Sequence, residues 1–123
     1  MATLTPTLTL ASTDISATDA LNLSVTDSLA IAGGAINFQV ATSSTGTVFA
    51  AAANYSKSYV FLKNLATDAS HIYTIEKADG GDEYLTLGAG EFAFFPWAAA
   101  VDLAVDAAAG TSALEVRIYQ AAS

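Results

Sequence analysis

The chain contains no cysteine, which removes disulfides, thiolate metal ligands and cysteine nucleophiles together. Stability is therefore expected from packing and assembly. A single histidine, His71, means that any Ser-His-Asp or metal proposal must pass through that residue. Cations are equally scarce: Lys57, Lys63, Lys77 and Arg117 stand against twelve acids, for a net charge of −8. No patch can neutralise a run of phosphates, where most nucleic-acid affinity originates, so nucleic acid is not an expected partner. The same charge repels anionic membranes. No segment approaches the roughly 20 apolar residues that span a bilayer, since "AIAGGAINFQVA" is short and broken by Gly33-Gly34. A membrane is not an expected partner either. "MATLTPTLTL" has neither a basic region nor a continuous apolar stretch, so Sec-type export is not expected. The sequons Asn22-Leu23-Ser24 and Asn54-Tyr55-Ser56 then read as chance matches in a Ser- and Thr-rich chain.

What the chain has is apolar residue: 53% hydrophobic against 13% charged over 123 residues. That is the opposite of a disordered acidic tail. Area scaling gives roughly 6,200 Å² for the folded surface against about 18,000 Å² unfolded, enough burial for one real core.

Alternation at period two is the dominant pattern. Leu21, Leu23 and Val25 in "ALNLSV", Leu29 and Ile31 in "SLAIA", and Ile36, Phe38 and Val40 in "AINFQVA" each read as the apolar side of a half-buried strand. "SYVFLKNL" sets Val60 and Leu62 opposite Tyr59 and Phe61, and "HIYTIEK" sets Tyr73 and Ile75 opposite Ile72 and Thr74. These two are expected to pair through "ATDAS". "ADGGD" (78–82) signals a second hairpin, to "EYLTL", because glycine tolerates positive φ. "GAG" (88–90) makes a further corner. A last hairpin is expected between "VDLAVD" and "ALEVRIYQ" through "AAAGTS". An alanine-rich helix over 98–109 competes there, but Val-Asp-Leu-Ala-Val-Asp alternates at period two and favours strand. Nine or ten short strands without an amphipathic helix predict an all-β fold, an antiparallel β-sandwich of jelly-roll type.

Residues 1–34 differ in texture from 35–123. They are almost free of aromatics and repeat Thr-Asp at 13–14, 18–19 and 26–27. The expectation is an extended arm with edge strands on a sandwich core formed by 35–123. Pro6 fits an arm or edge position because it cannot donate in a central ladder, and such an arm can add strands to a neighbouring subunit.

Chemistry has little to build on. His71, Ser70 and Asp68 fall in one predicted turn, which reads as an exposed histidine turn rather than a triad. Asp79, Asp82 and Glu83 form the densest carboxylate group but match no calcium loop and suit an exposed hairpin. No cofactor, metal or catalytic residue is expected, and an enzyme is not. "GEFAFFPW" (90–97) concentrates Phe92, Phe94, Phe95 and Trp97. In a strand Phe92 and Phe94 share one face and Phe95 and Trp97 the other, so one face fills the core and the second either lies under the amino-terminal arm or makes a subunit contact. Pro96 favours an edge strand. Aromatic faces also stack on sugars, so Trp97 is a candidate for carbohydrate binding.

The stretch from Tyr59 to Gln120 resembles small virion structural proteins of tailed bacteriophages. The resemblance rests on Phe61-Leu62-Lys63-Asn64, the hairpin after it, Leu-x-x-Gly-Glu-Phe at Leu87 to Phe92, and a terminal Leu-Glu-Val strand. It implies a β-sandwich decoration or cement protein on the capsid exterior, made in the host cytoplasm. Such a protein binds the major capsid protein as a homo-oligomer, a trimer at a local threefold. Pro6, Leu8 and Leu10 of the arm are the candidate capsid contacts, and Phe95 and Trp97 the candidate subunit contacts. A tail or fibre component and a carbohydrate-binding host-attachment module are the alternatives.

Overall fold

A computed structural model describes residues 2–13, 21–33, 36–41, 46–78, 82–107 and 113–122. They form β1 (Ala2–Leu4), β2 (Thr7–Ser12), β3 (Leu21–Thr26), β4 (Leu29–Ile31), β5 (Ile36–Ala41), β6 (Thr47–Ala50), β7 (Ser58–Asn64), β8 (Tyr73–Lys77), β9 (Glu83–Leu87), β10 (Phe92–Trp97), β11 (Leu103–Ala107) and β12 (Ala113–Gln120), with one 3₁₀ turn at Ala52–Asn54.

Eight strands make two four-stranded antiparallel sheets, ordered β10-β7-β12-β5 and β6-β11-β8-β9. Period-two alternation decides what lies between them. Val60, Leu62, Leu114, Val116 and Ile118 point in from the first sheet and meet Tyr73, Ile75, Leu87, Leu103 and Val105 from the second. The protein is an antiparallel β-sandwich. Each fully buried Leu, Ile or Val is worth about 1.5–3 kcal/mol relative to exposure, so this layer carries the stability. Residues 103–107 form a strand, as their alternation predicts.

Two expected hairpins are not formed. β7 pairs with β10 and β12, while β8 pairs with β11 and β9 in the opposite sheet, so "ATDAS" carries the chain across the sandwich. β11 and β12 are likewise in opposite sheets. Alternation marks a strand's inward face but is identical for a hairpin and for a crossing arch. The β8–β9 hairpin does form, in the register Tyr73↔Leu87 to Glu76↔Glu83; residues 79–81 at its turn lie outside the described residues.

The buried Asn64 ends β7 and fixes both neighbouring connections. Its Nδ2 donates to the carbonyls of His71 (2.8 Å) and Leu87 (3.0 Å), and its Oδ1 accepts from Ala66 N (3.0 Å). Its backbone bonds Glu91 O and Gly90 N, each at 2.9 Å. Gly90 has φ +78, a conformation that favours glycine at this corner.

The amino-terminal strands form a two-stranded ribbon. β1 pairs with β4 and β2 with β3, from Thr7↔Thr26 to Ser12↔Leu21. The pairings are bridged by Asp27 N donating to Pro6 O at 3.1 Å, an arrangement that asks Pro6 only for its carbonyl. The base is tied to the end of β12 by the Ile31↔Ala121 bridge and by Ala32 N to Gln120 O and Ala122 N to Ala30 O, at 2.9 and 3.0 Å. The chain exposes 7030 Å², more than the roughly 6,200 Å² of a compact domain this size. A ribbon that leaves both faces accessible accounts for that direction.

Candidate functional site

The two-stranded ribbon leaves one apolar face largely exposed. On β2 and β3 that face is Leu8, Leu10, Leu23 and Val25, which are 46%, 43%, 42% and 53% exposed. Leu8 stands directly across from Val25 and Leu10 from Leu23, so the four make one continuous ladder. Leu23 and Val25, expected to be half-buried, are instead at the surface, because no third layer lies over this part of the chain.

The outer face of the β10-β7-β12-β5 sheet is the second exposed apolar surface. Register places Phe92 beside Lys63, Phe94 beside Phe61 and Pro96 beside Tyr59. Tyr59 stacks on Phe94 and Phe61 on Phe92, both with centroids 6.4 Å apart. Phe92 is 60% exposed. β12 adds Glu115, Arg117 and Tyr119 outward, with Arg117 Nε 2.8 Å from Glu115 Oε1; that hydrogen bond, first of all, holds the guanidinium pKa above its usual value. Lys57 sits 5.7 Å above the Tyr59 ring, within cation–π range.

The ribbon base overhangs this face and leaves two grooves beneath it. One of about 470 Å³ is lined by Leu4, Pro6, Phe61, Phe94, Arg117 and Tyr119 among others. The next, about 450 Å³, lies between Thr7 and Leu8 of the ribbon and Phe61, Phe92 and Phe94 of the sheet. Pro6 and Leu8 thus meet the sheet's own aromatic row, whereas Leu10 lines neither groove.

Phe95 and Trp97 face the other way. Trp97 is 6% exposed in the core, tilted 5.6 Å from Tyr55, and its Nε1 donates to Val101 O at 3.2 Å. Phe95 packs partly buried against the same core. Their rims open on a third groove, about 350 Å³, between the edge strands β9 and β10. Sequence alone divides the four aromatics into two pairs but does not tell which pair is inside. The pairing with β7 decides it: Phe92 and Phe94 share a face with Lys63 and Phe61 once β10 pairs there.

Polar clusters are small. Asp68 Oδ1 accepts from Ser70 N (2.9 Å) and Ser70 Oγ (2.8 Å), so the serine hydroxyl is given to the carboxylate, and His71 Nε2 lies 3.8 Å from Asp68 Oδ2. The bonds from Ser70 hold the Asp68 carboxyl below its ordinary pKa. Glu76, 6% exposed on β8, is held above the ordinary glutamate value by burial first, then by Asp106 and Glu83. Asp106 itself accepts from Gly46 N, and Asp102 from Ala52 N at 2.7 Å. Among the described residues no three His, Asp or Glu side chains are placed to hold a metal ion, and Asp79 lies outside them. No helix among those residues is long and apolar enough to cross a membrane. No family model, curated protein or solved structure matches the chain.

Proposed function

We propose that the chain is a non-enzymatic virion structural protein of a tailed bacteriophage, a capsid decoration or cement subunit that binds the major capsid protein on the outside of the shell. The observation that carries this reading is the exposed Leu8, Leu10, Leu23 and Val25 ladder on a ribbon tied to the sandwich at its base. A monomer gains nothing from a continuous wet apolar stripe; a subunit that buries it across a junction gains affinity. Opening the shell would then require breaking those contacts as well, which is how a bound subunit stabilises an assembly.

Two further features support the reading. The strand order, β5-β12-β7-β10 over β6-β11-β8-β9 with all but one connection crossing between sheets, supports reading the sandwich as a jelly roll, an architecture that recurs in capsid proteins. The residues behind the resemblance to phage virion proteins also converge in space. Asn64 of the Lys-Asn element bonds the backbone of Leu87, Gly90 and Glu91 of the Leu-x-x-Gly-Glu-Phe element.

The test is co-sedimentation of the purified protein with phage heads assembled without it, followed by heating of loaded and bare shells. Saturable binding that raises the rupture temperature is the expected outcome. Absence of binding to heads, with binding to tails or to glycan arrays, would replace this reading by one of the two alternatives.

A further inference from the structure

The two four-stranded sheets have two edges each, and three of these edges are closed to further pairing by their own residues. β10 carries Pro96, which offers no N–H to the outside. β9 begins at Glu83, and its register with β8 shifts between Ile75 and Glu76. β6 has only four residues, and its register with β11 shifts between Leu103 and Ala104. Proline, charge, bulges and shortness are the devices that keep an edge strand from recruiting another. β5, the remaining edge, has none of them: "INFQVA" is six residues long, without charge or proline, in unbroken register with β12 from Ile36↔Ile118 to Ala41↔Ala113.

The outward hydrogen-bonding row of β5 follows from its neighbours. Leu65 N donates to Ala113 O at 2.9 Å and Ala121 N to Lys57 O at 2.8 Å, so odd-numbered residues of β12 bond towards β7 and even-numbered ones towards β5. Ala32 N donating to Gln120 O at 2.9 Å obeys the same parity. Ile36, Phe38 and Val40 stand opposite Ile118, Val116 and Leu114 and bond β12, whereas Asn37, Gln39 and Ala41 aim their N–H and C=O groups away from it. Among the described residues no strand pairs on that side. The inward side chains are also incompletely covered there: Ile36 is 43% exposed, and Phe38 and Val40 are only partly buried against the core.

Charge selects the occupant. Residues 28–56 contain no Asp, Glu, Lys, Arg or His, and β4, β5 and β6 lie within them. β9 and β10 border a common groove on one flank, which puts β5 and β6 on the other. One flank of a chain of net charge −8 is thus edged by uncharged strands. Two copies repel each other through their acidic surfaces and least through this one, whereas a cationic partner is steered to the acids. A twofold axis also sets a residue beside its own mate, where a charge would oppose its like; β5 has none to oppose.

We propose that β5 pairs with β5 of a second copy, antiparallel about a twofold axis through Gln39, so that one continuous sheet runs through both sandwiches. Asn37 then meets Ala41 of the second copy and Gln39 meets its own mate, each pair exchanging both N–H···O bonds. The contact is isologous and closes at two copies, because the other edges are blocked. A six-residue strand is only about 20 Å long, which makes a narrower interface than the roughly 800 Å² per partner of a standard one, so the dimer depends on concentration. The proposal goes beyond the decoration-protein reading and needs neither the ribbon ladder nor the outer sheet face.

The experiment is amide hydrogen exchange of the full chain at about 1 mM, where even a millimolar Kd is populated, and after roughly hundredfold dilution, with sedimentation at both concentrations. Twice 12.5 kDa is expected in the concentrated sample. The Asn37 and Gln39 amides should be protected there and exchange freely on dilution, while Phe38, bonded to β12, stays protected in both. Gln39→Pro removes one outward donor and leaves the bonds to β12 in place; it is expected to be monomeric with unchanged circular dichroism. Gln39→Lys, at an exposed position, is the second variant. It removes one unit of net negative charge, so general repulsion predicts a tighter dimer and the twofold a weaker one, by several-fold. A wild type monomeric at about 1 mM, a dimer whose Asn37 and Gln39 amides exchange as in the dilute sample, or a folded variant that dimerises like wild type would each overturn the proposal. Protection of those amides that appears only with phage heads would give the edge to the shell protein and overturn it too. A dimer that ignores heads would leave it standing and remove the cement reading; a monomer that binds heads would do the reverse.

Discussion

The side-chain amide of Asn64, at the end of β7, donates to the carbonyl of Leu87, at the end of β9 in the opposite sheet, at 3.0 Å. The same amide holds His71 O and its oxygen holds Ala66 N, so one buried side chain satisfies three backbone groups in two connections. Asn64→Ala leaves those groups buried without their partner. At 1–3 kcal/mol for a stranded buried polar group, a loss of about 3 kcal/mol is expected. Urea unfolding should show a lower midpoint with unchanged slope; an unaltered midpoint would mean that Asn64 is dispensable to the corner.

Glu76 gives a pH dependence of known sign. Its carboxyl is held above the ordinary 4.5 by burial, then by Asp106 and Glu83, so the folded state binds the proton more tightly than the unfolded chain. Stability then falls as pH rises from the ordinary glutamate range through the raised folded value. Glu76→Gln removes the charge while its amide remains able to meet Asp106. The variant is expected to melt at a higher temperature than wild type at pH 7 and at the same temperature near pH 4. Equal melting temperatures at both pH values would contradict the raised carboxyl.

How far the sequence could be read follows from the same residues. The strand faces were legible because Val60, Leu62, Tyr73, Ile75, Leu114, Val116 and Ile118 alternate with polar or aromatic neighbours, and all seven lie in the core. The partners were only half legible. "ADGGD" reads as a hairpin because glycine supplies positive φ, and β8 and β9 do pair. "ATDAS" has no glycine; its turn is made by Asp68 accepting from Ser70, and the segment crosses the sandwich. Nothing in local alternation distinguishes that arch from a hairpin. Leu23 and Val25 misled for a related reason: their pattern is that of a buried face, and in a single chain that face is bare. Which aromatics of "GEFAFFPW" are inside depends on the register with β7, a long-range fact with no local signature.

Ribbon and core should therefore respond unequally to the same chemical change. Leu62→Ala empties a fully buried site between the sheets and is expected to cost about 2–5 kcal/mol. Leu10→Ala or Val25→Ala removes exposed methyl groups from the ribbon, with an effect of roughly 0.5 kcal/mol or less on a dilute sample. The proposed contact between copies is the β5 edge, so ribbon substitutions should not alter the rise in melting temperature at high protein concentration, where mass action adds the interface to the stability. Melting curves over a hundredfold range of concentration check this: wild type and Leu10→Ala should shift alike and Gln39→Lys should shift less.

Trp97 supplies the last test, because its position decides what a ligand could do to the chain's single indole. The ring is tilted against Tyr55 and bonded to Val101 O, so iodide should quench it weakly in the native protein and strongly in urea. Trp97→Ala is expected to cost about 3–5 kcal/mol, as large aromatic truncations in a core do. A glycan would instead find Phe92 and Phe94, whose rings are exposed on the opposite face of the same strand. Added sugar should thus leave the tryptophan emission unchanged whether or not it binds. Loss of sugar binding, where any is found, should follow Phe94→Ala. Quenching of Trp97 by glycan in the folded protein would contradict the buried position and reopen the groove between β9 and β10 as the binding surface.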